Sequence, residues 1–116
     1  MTFLKRSLVL AVILAALSAS AQQAGEIQGV VEDQSGAVIP KAHVLLIDIE
    51  TLQTWQMDAS NSGAFDFRDL PLGSYELRAA FRPVFLPYGK QIKLKSSRIT
   101  TVRVVLKVNP HTKVVE

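Results

Sequence analysis

The sequence predicts an all-β domain, a sandwich or barrel of six or seven mostly antiparallel strands. Three observations lead there. From Glu26 onward each apolar run repeats with period two, and none with the 3.6 of a helix. Turn signals rich in Gly, Pro, Asn and Asp punctuate those runs at the short spacing, about 8–12 residues, of small β-sandwiches. No βαβ pattern, internal repeat or low-complexity tract interrupts the series.

In the first run Ile27, Gly29 and Val31 alternate with Gln28 and Glu32. Alternation of this kind puts one face of a strand in a core and the other in water. Asp33-Gln34-Ser35-Gly36 turns the chain. Ala42, Val44 and Leu46 then form the inward set of a second strand, which leaves Leu45, Ile47 and Ile49 facing out. Trp55, on the following strand, is expected to share that outward face. An apolar patch of this kind is a candidate interaction surface, unless a register shift, a bulge or the N-terminal segment covers it.

Asn61-Ser62-Gly63 makes the next turn, after which Phe65 and Phe67 point inward from a very short strand on either side of Asp66. Leu70-Pro71-Leu72-Gly73 forms a corner, where Pro71 fixes φ and Gly73 accepts positive φ. Tyr75 opens the next strand facing inward, its hydroxyl within reach of the corner backbone, as in the tyrosine corner of Greek-key sandwiches. Leu77, Ala79 and Phe81 continue its face. After Pro87-Tyr88-Gly89, Ile92 and Leu94 alternate with Gln91, Lys93 and Lys95. Val102, Val104, Leu106 and Val108 alternate with Arg103 and Lys107. Outward lysines of this kind guard an edge strand against aggregation.

Ahead of the sandwich, residues 1–6 carry Lys5 and Arg6, residues 8–17 are uninterrupted apolar, and Ala19-Ser20-Ala21 follows. A basic segment, an apolar segment and a small-x-small site read as a cleavable helical signal peptide over 1–21. The apolar run is shorter than the roughly 20 residues a bilayer span needs. A short linker, 22–25, then leads to a domain over 26–108 and a polar tail, 109–116, expected to fray. The expected destination is the periplasm, the cell surface or the medium. With no cysteine in the chain, stability rests on packing and hydrogen bonding alone.

The net charge of +3 includes the two signal-peptide cations, so the exported chain is near neutral and gives no footprint for nucleic acid. The distribution is uneven. Eight acids accompany only Lys41 and Arg68 between Glu26 and Asp69, and nine basic residues face only Glu76 and Glu116 from Tyr75 onward. Interleaved strands can pair these charges across a sheet, or a basic face can meet an acidic partner.

The series Ile27-x-Gly29-x-Val31, Asp33-x-x-Gly36, Ile39-Pro40-x-Ala42-x-Val44, with Thr51, Gly63-x-Phe65-x-Phe67 and Leu70-Pro71-x-Gly73-x-Tyr75-x-Leu77, resembles the carboxypeptidase regulatory-like domains. The resemblance covers about 26–108. It implies a prealbumin-like, seven-stranded Greek-key β-sandwich and a non-catalytic accessory module. Such modules stand beside metallocarboxypeptidases, at the N-terminus of TonB-dependent outer-membrane receptors, or alone in secreted bacterial proteins. Gly36, Gly63, Phe65, Phe67, Pro71, Gly73 and Tyr75 are its structural positions here.

Nothing in the residues reads as a catalytic set. A zinc peptidase needs spaced His and Glu ligands, whereas His43 and His111 have no neighbour at ligand spacing. No Gly-x-Ser-x-Gly elbow occurs. Hydroxyisourate hydrolases of the transthyretin fold end in Tyr-Arg-Gly-Ser, and this chain ends in His-Thr-Lys-Val-Val-Glu. Asp33, Asp48, Asp58, Asp66 and Asp69 lack the spacing of a calcium loop, and Asx turns account for several. We therefore expect no enzyme, cofactor or metal site. The candidate binding feature is the loop 81–89, where Arg82, Phe85, Tyr88 and Lys90 can grip a sugar ring or peptide; alternatively Val84 and Leu86 plug the end of the sandwich. The expected function is a secreted, non-enzymatic module binding a protein or glycan of the cell envelope. The alternatives are a transthyretin-type small-ligand carrier or hydrolase, and a remnant of a receptor's N-terminal module.

Overall fold

The computed structural model describes residues 23–111. The signal peptide expected over 1–21 lies outside them, as do Gln22 and the end of the tail, 112–116. Seven strands follow one another: β1 (Ala24–Asp33), β2 (His43–Asp48), β3 (Thr54–Asp58), β4 (Ala64–Pro71), β5 (Gly73–Ala80), β6 (Tyr88–Leu94) and β7 (Ile99–Leu106). They form two sheets, ordered β4-β1-β7 and β3-β2-β5-β6. β1 pairs antiparallel with β4 and parallel with β7, and the four-stranded sheet is antiparallel throughout.

The two sheets enclose one core. Ile27 and Val31 from β1, Val44 and Leu46 from β2, Tyr75 and Leu77 from β5, and Val104 from β7 are all completely buried. Each belongs to the alternate-residue set that the sequence predicts. Every buried apolar side chain among the described residues falls between Ile27 and Leu106, on the seven strands and, with Ile39, Ala42 and Ala59, on the connections beside them.

Gly29 interrupts the inward row of β1 for a steric reason. It lies opposite Phe65 in the β1–β4 register. A Cβ at this position would lie 2.6 Å from the Phe65 ring and 2.2 Å from the Val102 carbonyl oxygen. The absent side chain is the space that the Phe65 ring occupies. Gly63, at φ 75°, sits where a Cβ would meet the Val31 carbonyl at 2.7 Å, while the Gly63 carbonyl accepts from Val31 N–H at 2.8 Å. The turn and the first strand are thereby joined back to back.

The corner has the expected anchor. The Tyr75 hydroxyl donates to the Pro71 carbonyl, and the ring is fully buried. Burial, with the nearby Asp48 charge, pushes the Tyr75 hydroxyl pKa up. Trp55 lies against Tyr75, ring centroids 5.8 Å apart and tilted by 59°. The Asp33 carboxylate closes the first turn by accepting from Ser35 Oγ, Ser35 N–H and Ala37 N–H.

Four details differ from the sequence expectation. Strand β1 begins at Ala24, inside the stretch read as linker. The Phe65–Phe67 strand is eight residues long rather than very short. Phe81 and Val108 do not extend the inward rows of β5 and β7, because those strands end at Ala80 and Leu106, and both side chains stand exposed. Asn109, at the start of the expected frayed tail, donates N–H to the Val84 carbonyl at 2.8 Å.

Candidate functional site

The outward face of β2 is narrower than its sequence promises. Leu45 and Ile47 are half-buried and Ile49 is exposed in the turn that follows. Leu45 is flanked by Gln56 and Arg78, and Ile47 by Thr54 and Glu76. Arg78 Nε and Nη2 donate to Glu76 Oε1 and Oε2 at 3.0 and 3.3 Å, so a charged pair runs beside the apolar ridge. Trp55 is not part of this face. It stands opposite Leu46 in the β2–β3 register, which turns its ring inward onto Tyr75 and the core.

The loop 81–87 caps the end of the sandwich where β5 stops and β6 begins. Phe85 N–H donates to the Phe81 carbonyl at 3.1 Å, folding the loop on itself. Leu86 N–H donates to the Lys107 carbonyl at 2.7 Å. The chain after β7 therefore serves as a short antiparallel partner, with Phe85 opposite Val108. Phe85 is the loop side chain that packs on the core, edge-on to Phe81 at 6.3 Å. Val84 and Leu86 do not plug the sandwich; both are exposed. Tyr88 also packs against the core, and burial pushes its hydroxyl pKa up. Arg82 and Lys90 are exposed.

Two concavities flank Pro87 and Tyr88. The smaller, of about 190 Å³, is lined by His43, Leu45, Arg78, Arg82, Pro87 and Tyr88. It joins one residue of the outward β2 ridge to two of the loop candidates. Ile47, Ile49, Phe85 and Lys90 are not among its walls. His43 is held in place by Asp58, with Nδ1 3.1 Å from Oδ1. The larger, of about 380 Å³, is lined by Leu86, Pro87, Tyr88, Gly89, Val105 and Lys107. Sequence reasoning missed His43 and Arg78 as wall residues. Both are outward strand residues of ordinary spacing, and only the β2–β5 register brings them beside the loop.

A third concavity, about 390 Å³, lies between Gln28, Asp66 and Thr101 on the other sheet and Met57 and Ser60 at the sandwich edge. Its charged group, Asp66, is engaged through Oδ2, while Oδ1 is buried without a hydrogen-bond partner among the described residues. Arg68 Nε donates to Asp66 Oδ2 at 2.7 Å and lies 3.3 Å from Glu26 Oε1. The neighbouring Asp66 carboxyl pushes the Glu26 pKa up, and Glu26 together with the Arg68 guanidinium holds that of Asp66 down. Among the described residues no group of three His, Cys, Asp or Glu side chains is gathered as for a metal ion. Nor is any described helix long and apolar enough to cross a membrane.

A family model described as the carboxypeptidase regulatory-like domain matches residues 26–107. The chain belongs to that family. No curated protein sequence matches this carboxypeptidase regulatory-like domain. Among solved structures it is similar to a candidate carbohydrate binding protein from Pseudomonas aeruginosa, at TM-score 0.55 and 16% identity over 76% of this chain and 93% of that one. It is similar also to the major pilin subunit of Bacillus cereus, at 0.58 and 12%, over 75% of this chain and 31% of the pilin. A chlorocatechol dioxygenase from Rhodococcus opacus matches at 0.62 and 10%, over 77% of this chain and 62% of the enzyme. The domain thus spans less than two thirds of the pilin and dioxygenase chains. At these identities the likeness is one of fold, and that fold serves binding proteins, fibre subunits and enzymes alike.

Proposed function

We propose that this carboxypeptidase regulatory-like domain is an exported, non-catalytic interaction module that holds a protein or glycan of the cell envelope in the concavity beside loop 81–87. One observation carries the reading. His43, Arg78 and Arg82, from two strands and a loop, line one concavity together with the apolar Leu45 and Pro87. A few aimed polar groups over an apolar base is the usual composition of a ligand site. The chemistry of the site is that of recognition. His43 is paired with Asp58, and no serine or threonine lines the concavity to serve as a nucleophile beside it. The family match and the likeness to a candidate carbohydrate binding protein and a pilin support this reading, and the basic, apolar and small-residue order of 1–21 supports export.

Amide chemical shifts, followed while envelope polysaccharides and peptidoglycan fragments are titrated in, test the proposal. The expected result is saturable shifts clustered at His43, Leu45, Arg78 and Arg82, abolished by Arg82→Ala. Shifts clustered instead around Gln28, Asp66 and Thr101, or none with any fraction, would overturn it.

A further inference from the structure

Four of the eight large apolar side chains that stand exposed among the described residues gather at the loop end: Phe81, Val84, Leu86 and Val108, at 37–54% exposure. The cluster is not a slack loop awaiting collapse. Its backbone is pinned by Leu86 N–H to Lys107 O and Asn109 N–H to Val84 O, and Phe85 already fills the inward position. A patch of this kind in water marks a surface that meets something apolar.

The charge around the patch is one-sided. Arg82 lies within the loop, Lys90 follows it on β6, and Lys107 lines the concavity beside Leu86. None of the three is ion-paired among the described residues. The sequence has no acid from Leu77 to Val115. The carboxylates that the fold brings to this end are engaged locally, Asp33 by Ser35 and Ala37, Asp58 by His43, Glu76 by Arg78 and Glu32 by Arg103. Exposed apolar side chains with cations among and beside them match the two features of an anionic bilayer, acyl chains beneath a plane of phosphates. A protein groove would have to supply both features in the same geometry, whereas every anionic bilayer supplies them.

We propose that the loop end is a membrane-docking tip, with Phe81, Val84 and Leu86 entering the interface of an anionic bilayer and Arg82, Lys90 and Lys107 contacting its phosphates. Docking is peripheral and shares Arg82 with the ligand concavity beside the loop, whereas Val84, Leu86 and Lys107 belong to the tip alone. All seven strands lie within 24–106, so the chain from Gln22 onward is the form to test, free of the apolar N-terminal segment that would bind lipid by itself.

The test is co-sedimentation with vesicles of equal parts phosphatidylglycerol and phosphatidylcholine, against phosphatidylcholine alone. The expected result is binding to the anionic vesicles only, weakened as salt is raised and the surface potential is screened. Val84→Asp with Leu86→Asp, and separately Arg82→Ala with Lys107→Ala, should each reduce binding at least about tenfold while the thermal melt is unchanged. Leu52→Asp, which alters an exposed leucine at the opposite end of the same sheet, should bind like the parent. Absence of binding to anionic vesicles, equal binding to neutral ones, or a loss with Leu52→Asp as large as with the tip variants would overturn the proposal. So would retention of binding by the Arg82→Ala, Lys107→Ala variant, whose exposed side chains do not bear on folding.

Discussion

Tyr75 does two separable things. Its ring is packed beside Trp55 and opposite Ile92, and its hydroxyl ties the end of β4 to the start of β5 through the Pro71 carbonyl. Tyr75→Phe removes the tie alone and should lower stability by about 0.5–1.5 kcal/mol. Tyr75→Ala removes the ring as well and should cost about 3–5 kcal/mol, enough to unfold a small domain at moderate temperature. Urea unfolding of the two variants separates the contributions; equal losses would show that the hydroxyl, not the ring, anchors the corner. Asp33 gives a different signature. Its pKa is lowered from 3.8 chiefly by the Ser35 hydroxyl hydrogen bond, so the folded state favours the carboxylate. Its stabilising contribution is therefore fully present above that unfolded value and disappears as pH falls through the lower folded one. Asp33→Ala should melt below the parent at neutral pH, and the two curves should converge in strong acid.

At the scale of single elements, the period-two rows of β1, β2, β5 and β7 were legible because a half-buried strand has no other solution for its apolar residues. The corner was legible because Pro71, Gly73 and Tyr75 each carry a conformational or hydrogen-bonding preference of their own. Register was not. Trp55 lies inward because the connection 49–53, with Leu52 at φ 62°, sets β3 so that position 55 faces Leu46. A slip of one residue would have turned it outward, and nothing local in the sequence distinguishes the two. The walls of the loop concavity were hidden for the same reason, since His43 and Arg78 meet Arg82 only through pairing between distant strands. Paired substitutions check the assignment. Trp55→Ala should cost about 2–3 kcal/mol, less than a fully buried aromatic because the ring is only partly buried. Leu45→Thr, on the outer face, should stay within about 1 kcal/mol of the parent. The reverse ranking in thermal melts would restore Trp55 to the outside.

Across the whole molecule, the acidic first half and basic second half interleave. β1 and β7 are neighbours, and Arg103 Nε donates to Glu32 Oε1 at 2.6 Å across them. Among the described residues most of the later cations have no such partner, and Arg82, Lys90 and Lys107 collect at one end. The split in the sequence is thus partly paired and partly spent on a polarised surface.

The parallel ladder between β1 and β7 also governs how the domain answers a pull. Its eight aligned pairs run from Glu26 beside Ile99 to Asp33 beside Leu106. Tension applied through the two ends of the chain drags these strands past each other lengthwise, so the rungs must rupture together instead of unzipping singly. Stretched from its termini, the domain should resist to a markedly higher force than when drawn apart through residues 52 and 92, in the β2–β3 connection and on β6, where a peeling geometry is available. Single-molecule extension in the two directions would reveal that anisotropy, and equal rupture forces would deny it.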